Sequence, residues 1–192
     1  MRRALLEFAA DCVLATPQLG KRVFGALVSE LTTPSDGPVV FYLDFTGVEV
    51  ATASFLREAI VTFRNHVREH IPQLYPVAAN LAHDVQEELH DLLRERMDAL
   101  PVCELDPDER PRAARVFGQL DGKQLLTLNA ALKAQEIDAT ALLEQFAREE
   151  NVGITAWNNR LAALCAKGLL IEQTLGRAKR YRPVLENLVY GR

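Results

Sequence analysis

The residues best suited to chemistry lie between Gly153 and Pro183, in GITAWNNRLAALCAKGLLIEQTLGRAKRYRP. Trp157, Leu161 and Leu164 recur at i, i+4 and i+7, which makes one buried helical stripe and turns Thr155, Asn158 and Asn159 to other faces. An Asn side chain carries a donor and an acceptor side by side, the pair that matches the edge of adenine. Gly168 ends the helix. Leu169, Leu170 and Ile171 start a strand, Leu175-Gly176 supplies a turn, and Arg177, Lys179, Arg180 and Arg182 alternate along a returning strand. With Arg160 they form a cluster of bases, and the stretch looks like a reading head for nucleic acid. Trp157 shares the apolar stripe and reads as a core anchor rather than a stacking platform. On the plainer reading, the basic run is a solvated hairpin that Tyr181 and Arg182 close.

Other candidate chemistry is weaker. His66-Val67-Arg68-Glu69-His70 spells H-x-x-E-H, in which two His one helical turn apart share a metal. No third ligand or cleft accompanies it, and Pro72 cuts the helix just beyond, so the residues read as a solvated last turn and no metal is expected. No Ser/His/Asp order and no Gly-rich phosphate loop emerges, so neither an enzyme nor a cofactor is expected. Cys12, Cys103 and Cys165 are odd in number, widely spaced and set in apolar contexts, which reads as free thiols.

The chain has 192 residues, 48% of them hydrophobic, enough for one large domain or two small ones. It carries no apolar run long enough to cross a bilayer and no signal-peptide pattern, so a cytoplasmic protein without membrane contact is expected. Its net charge of −4 conceals an asymmetry. Residues 1–110 hold 10 Lys+Arg against 18 Asp+Glu, giving −8, whereas residues 111–192 hold 12 against 8, giving +4. A basic carboxy-terminal part on an acidic amino-terminal part suits a nucleic-acid-binding module joined to a domain with another task.

The elements that must position these residues follow from periodicity. Leu19, Val23, Leu27 and Leu31 predict a helix over 17–31, opened by Pro17. Val39-Val40-Phe41-Tyr42-Leu43 is continuous, β-branched and aromatic, as in a strand buried on both faces. A helix follows with Phe55, Ile60 and Phe63 inside and Ser54 as its candidate cap. Residues 75–81 read as a strand, 84–97 as a helix and 101–105 as a strand, an alternation that predicts an α/β sandwich. The segment VVFYLDFTGVEVATASFLREAI resembles the strand, loop and helix of STAS domains, the fold of bacterial anti-sigma-factor antagonists. Asp44, Gly47 and Val48 match that family's turn, and Ser54 with Leu56 falls on its phosphorylatable Ser and the Leu beyond. Thr52 stands where the antagonists have Asp, and Phe55 where they have Gly. The resemblance implies a protein-binding domain over 1–106, with Ser54 either phosphorylated or capping the helix.

Asp106 to Pro111 is polar and bracketed by prolines, so residues 107–118 are expected to form a linker and connecting helix. Helices are predicted over 120–134 and 139–149, the latter capped by Asp138 or Thr140 and burying Leu142, Leu143 and Phe146. Leu185, Leu188 and Val189 have helical spacing near the end. Helix, helix, turn, helix and hairpin over 120–184 resemble the winged helix-turn-helix family. The likeness is strongest at Thr140-Ala141-Leu142-Leu143, Asn159 to Leu164 and Lys167-Gly168-Leu169-Leu170. The resemblance implies a third helix in the major groove and a wing against the backbone, with Thr155, Asn158 and Asn159 facing base edges and Arg160, Arg177, Lys179, Arg180 and Arg182 contacting phosphates. The expected fold is thus an α/β STAS-like amino-terminal domain plus a mostly α winged helix-turn-helix domain over 119–192. The expected function is a transcriptional regulator that binds double-stranded DNA as a homodimer and takes a protein partner through its STAS-like domain. The alternative is a signalling adaptor that does not bind DNA, in a partner-switching relay of the anti-sigma-factor type.

Overall fold

The computed structural model describes residues 1–32, 34, 37–176 and 178–191, with Leu175 described by its backbone alone. Its centre is a six-stranded, mostly parallel sheet in the order β1-β3-β5-β6-β7-β10. β1 (Arg2–Ala4), β3 (Val39–Asp44), β5 (Leu74–Ala79) and β6 (Ala99–Leu105) run parallel. β7 (Pro111–Gly118) returns antiparallel to β6, and β10 (Val189–Tyr190) lies parallel to β7 at the edge. A two-residue pair, β2 (Val13–Leu14) with β4 (Val50–Ala51), stands apart. At this level the α/β expectation holds.

Side-chain alternation divides the sheet between two cores. Phe41, Leu43, Leu74, Ala78, Leu100, Val102 and Phe117 point to one face, where α1 (Pro17–Ser29), α3 (Thr62–His70) and α4 (His83–Glu95) cover them. α3 is continuous with α2 (Ala53–Leu56) through a π-helical segment, Arg57–Val61. Tyr75, Val77, Ala79, Ala99, Cys103, Ala114 and Val116 point to the other face and join a second core built by the carboxy-terminal helices. β5 is buried at every residue as a result, which is why its sequence shows no polar alternation. Pro76 and Pro101 lie inside β5 and β6 and each lacks a ladder donor. Pairing between these strands is confined to Ala78 with Val102 and Ala79 with Cys103.

Two expectations are corrected. Residues 107–118 do not hold a connecting helix: a tight turn leads into β7. Asp106 builds that turn, its carboxylate accepting from the amides of Asp108 (3.0 Å) and Arg110 (2.9 Å) and from Arg112 Nε (2.9 Å). The proline-bracketed acidic run is therefore a hairpin turn inside the sheet. The helical spacing of Leu185, Leu188 and Val189 does not produce a helix either. Leu185 and Leu188 are buried in the second core and Val189 is paired in β10.

The carboxy-terminal half contains α5 (Gly122–Ala134), α6 (Ala139–Gln145) and α7 (Ile154–Ala166), then the hairpin of β8 (Leu170–Leu175) and β9 (Ala178–Pro183). Asp121 caps α5 through the amides of Lys123 and Gln124, and Asp138 rather than Thr140 caps α6 through Ala141. Ile137 bridges Tyr181 by two backbone hydrogen bonds (2.8 and 2.9 Å), tying the link between α5 and α6 to the hairpin. Gly168, at φ +78°, ends α7, with Leu169 N reaching back to Leu164 O at 3.0 Å.

Candidate nucleic-acid interface

α7 is positioned from its buried side. Trp157, Leu161 and Leu164 are fully buried, and the Trp157 ring stacks on Phe146 at 5.4 Å between centroids. Trp157 is thus a core residue. The opposite side of the helix carries Thr155, Asn158, Asn159, Ala162 and Ala166, all exposed. Among the described residues, the side chains of Thr155, Asn158 and Asn159 have no hydrogen-bond partner. The structure therefore brings these three residues together on one open ridge.

The proposed phosphate contacts fare differently. Arg160 is 9% exposed, pairs with Glu150 at 2.7 Å and lies over the Trp157 ring at 4.4 Å. It falls on the apolar side of α7, so its guanidinium is engaged inside the fold and, contrary to expectation, is not presented to a phosphate. Lys179 and Arg180 are exposed on the hairpin, but each meets an acid, Glu172 and Glu136, at 2.8 Å. Such surface pairs contribute little and exchange readily with another anion. Arg182, two residues beyond Arg180 on the same face of β9, is half-buried and lines a cleft against β3. Arg177 lies outside the described residues.

Ser54 is not the helix cap. Thr52 holds that position, accepting from Phe55 N at 3.4 Å, and its hydroxyl lies 3.1 Å from that of Ser54. Glu88 from α4 accepts from Ala53 N at 2.8 Å, so a carboxylate already occupies this positive helix end. Nearby, Asp44 is fully buried and accepts from Arg2, Thr46 and Asn80. Burial alone would raise its pKa, but the hydrogen bonds from Thr46, Arg2 and Asn80 outweigh it and hold the carboxyl below the usual range. In the H-x-x-E-H run, the His66 and His70 rings stack at 4.3 Å, and His70 Nδ1 lies 2.9 Å from the His66 carbonyl oxygen. No group of three or more His, Cys, Asp or Glu able to hold a metal occurs among the described residues. Burial pushes the thiols of Cys103 and Cys165 up to about 12.

One polar cluster escaped the sequence reading. Arg64, 2% exposed, donates to Ala99 O (2.8 Å) and Lys167 O (3.2 Å) and pairs with Asp98. Lys167 Nζ meets the same Asp98 at 2.8 Å. Arg68 donates to Cys165 O at 3.1 Å and covers the Tyr75 ring at 3.9 Å. α3 therefore grips the carboxy-terminal end of α7 through its carbonyls, where cations are favoured. Burial would raise the Asp98 pKa, but Arg64 and Lys167 hold it below the ordinary 3.8. The signal was present: Arg64 interrupts the apolar stripe of Ile60, Phe63 and Val67, and a charge at a core position needs a partner.

Among the described residues, no helix is long and apolar enough to cross a membrane. No protein-family model matches the chain, and none of the curated proteins does.

Proposed function

We propose that the protein is a transcriptional regulator that binds double-stranded DNA through α7. On this reading, α5, α6, α7 and the β8–β9 hairpin form a winged helix-turn-helix. The α/β half is STAS-like and receives a protein partner. The observation that carries the reading is the open ridge of Thr155, Asn158 and Asn159, three hydrogen-bonding side chains without internal partners on a helix free to enter a groove about 12 Å wide. Lys179, Arg180 and Arg177 of the hairpin supply the phosphate contacts. Homodimerisation places two such helices on half-sites one turn apart. The protein works without catalysis, in the cytoplasm.

The adaptor reading is favoured by a different observation. Arg160 is buried, and the hairpin bases already have carboxylate partners, which lowers the field available for phosphates. Fluorescence anisotropy of a labelled duplex across a salt series separates the two. DNA binding by three hairpin cations per protomer predicts a slope of log K against log salt of roughly −3 for each protomer bound, about −5 for the dimer, and losing Lys179 or Arg180 reduces its magnitude by about 1 per protomer. Changing Asn158 or Asn159 to Ala should relax sequence preference instead. Absence of duplex binding at low salt would sink the regulator reading and leave the adaptor.

A further inference from the structure

The cleft that receives Arg182 lies where the two halves of the chain meet. Its volume of about 480 Å³ is within the range of small-molecule sites. Its floor is apolar: Val40 and the Tyr42 ring come from β3, and Val184 and Leu185 from the segment after β9. Val184 and Leu185 are each 4% exposed. Its polar groups are predominantly cationic. Arg110, Arg112 and Arg182 line it against a single acid, Glu186, a formal +2 among the lining side chains. Arg110 and Arg112 stand exposed at the mouth and lean on Asp108 and Asp106.

Arg182 is different in kind. It is half-buried, and among the described residues it has neither a hydrogen-bond nor an ion-pair partner. The Tyr42 hydroxyl, in the same cleft, likewise has no hydrogen-bond partner among the described residues. Burial pushes that hydroxyl up to about 12, so it is a donor at neutral pH. Partly desolvated donors normally find acceptors, and two such donors beside an apolar floor ask for an anion with an apolar body.

We infer that this cleft binds a small organic carboxylate, its carboxyl group held by Arg182 and Tyr42 and its apolar part resting on Val40, Val184 and Leu185. The ligand touches β3 on one side and the end of the hairpin on the other, so it can bias how the two halves pack. The binding step does not depend on whether α7 reads DNA, and its test contains no DNA.

The test is calorimetric titration of the full chain with phenylacetate, octanoate and the neutral phenylacetamide. At least one carboxylate should bind saturably with Kd at or below about 1 mM, the strength expected of fragments of this size. The matched amide should bind at least about tenfold more weakly. Arg182→Gln should weaken the carboxylate about ten- to hundredfold and Tyr42→Phe by less, with thermal unfolding of the unliganded variants showing that both remain folded. Saturable binding by neither carboxylate would overturn the inference. So would equal binding of phenylacetamide, or binding that both variants leave unchanged.

Discussion

Arg64→Met tests whether the polar cluster beneath α7 joins the two halves of the chain. Methionine keeps the length of the side-chain stem, so the cavity contribution is small and the loss is that of the guanidinium. Two backbone carbonyls, Ala99 O and Lys167 O, lose a charged donor, each worth about 1–3 kcal/mol when buried. Asp98 loses one cation but keeps Lys167 Nζ and the Ala99 amide, both at 2.8 Å. That places the cost below the full penalty of an orphaned buried charge, so the expected loss is about 3 kcal/mol. Lys167→Met, which leaves Arg64 on Asp98, should cost less, about 1–2 kcal/mol. Urea unfolding measures both. Trp157, the single tryptophan, reports the carboxy-terminal half, while far-UV circular dichroism reports the whole chain. The second core runs unbroken from the sheet into α7, so the two signals should shift together. A change below about 0.5 kcal/mol, the ordinary spread for surface sites, would refute the argument. A Trp157 transition that separates from the sheet's in the parent protein would refute it too.

Gly118 sits at φ +97°, and a Cβ there would lie 2.1 Å from Asp98 O and 2.7 Å from Leu93 Cβ. Gly118→Ala should therefore cost about 3 kcal/mol or more in the same unfolding assay, from left-handed strain and overpacking together. Thr52→Ala should cost about 1 kcal/mol through the lost cap, with Ser54→Ala costing less; the reverse order would return the cap to Ser54. Asp44 and Asp98 both have folded pKa values below the ordinary 3.8. Their contribution to stability is complete above that value and disappears as pH falls through the lower folded values, so unfolding free energy measured downward from pH 5 should drop through and below this window. Asp44→Asn should flatten the drop.

Much of the secondary structure was legible because short-range rules carry it. The run from Val39 to Leu43 is β-branched and aromatic and forms β3, and Trp157, Leu161 and Leu164 at helical spacing forecast both α7 and its buried side. The exposed placement of Thr155, Asn158 and Asn159 follows from the same arithmetic. The cap of α6 was readable only as a choice between Asp138 and Thr140, since both are good capping residues and the decision lies in where the chain turns. Ser54 failed for a similar reason: Thr52, two residues earlier, satisfies the helix end first.

What tertiary structure decided concerns distance along the chain. The acidic, proline-rich run at 106–111 has the composition of a linker, and only its pairing partner, β6, makes it a hairpin turn. Leu185, Leu188 and Val189 carry helical spacing, yet the free edge of β7 captures the backbone as β10. Arg160 and Arg182 look like members of one basic set, and packing separates them. One turns into the apolar side of α7 beside Glu150, and the other lines a cleft whose opposite wall, Tyr42, lies 140 positions earlier in the numbering. Local sequence sets which face of an element a residue occupies. What that face meets is settled by elements that no local pattern can name, and for a charged side chain that meeting determines whether the charge is neutralised, buried or left open to a ligand.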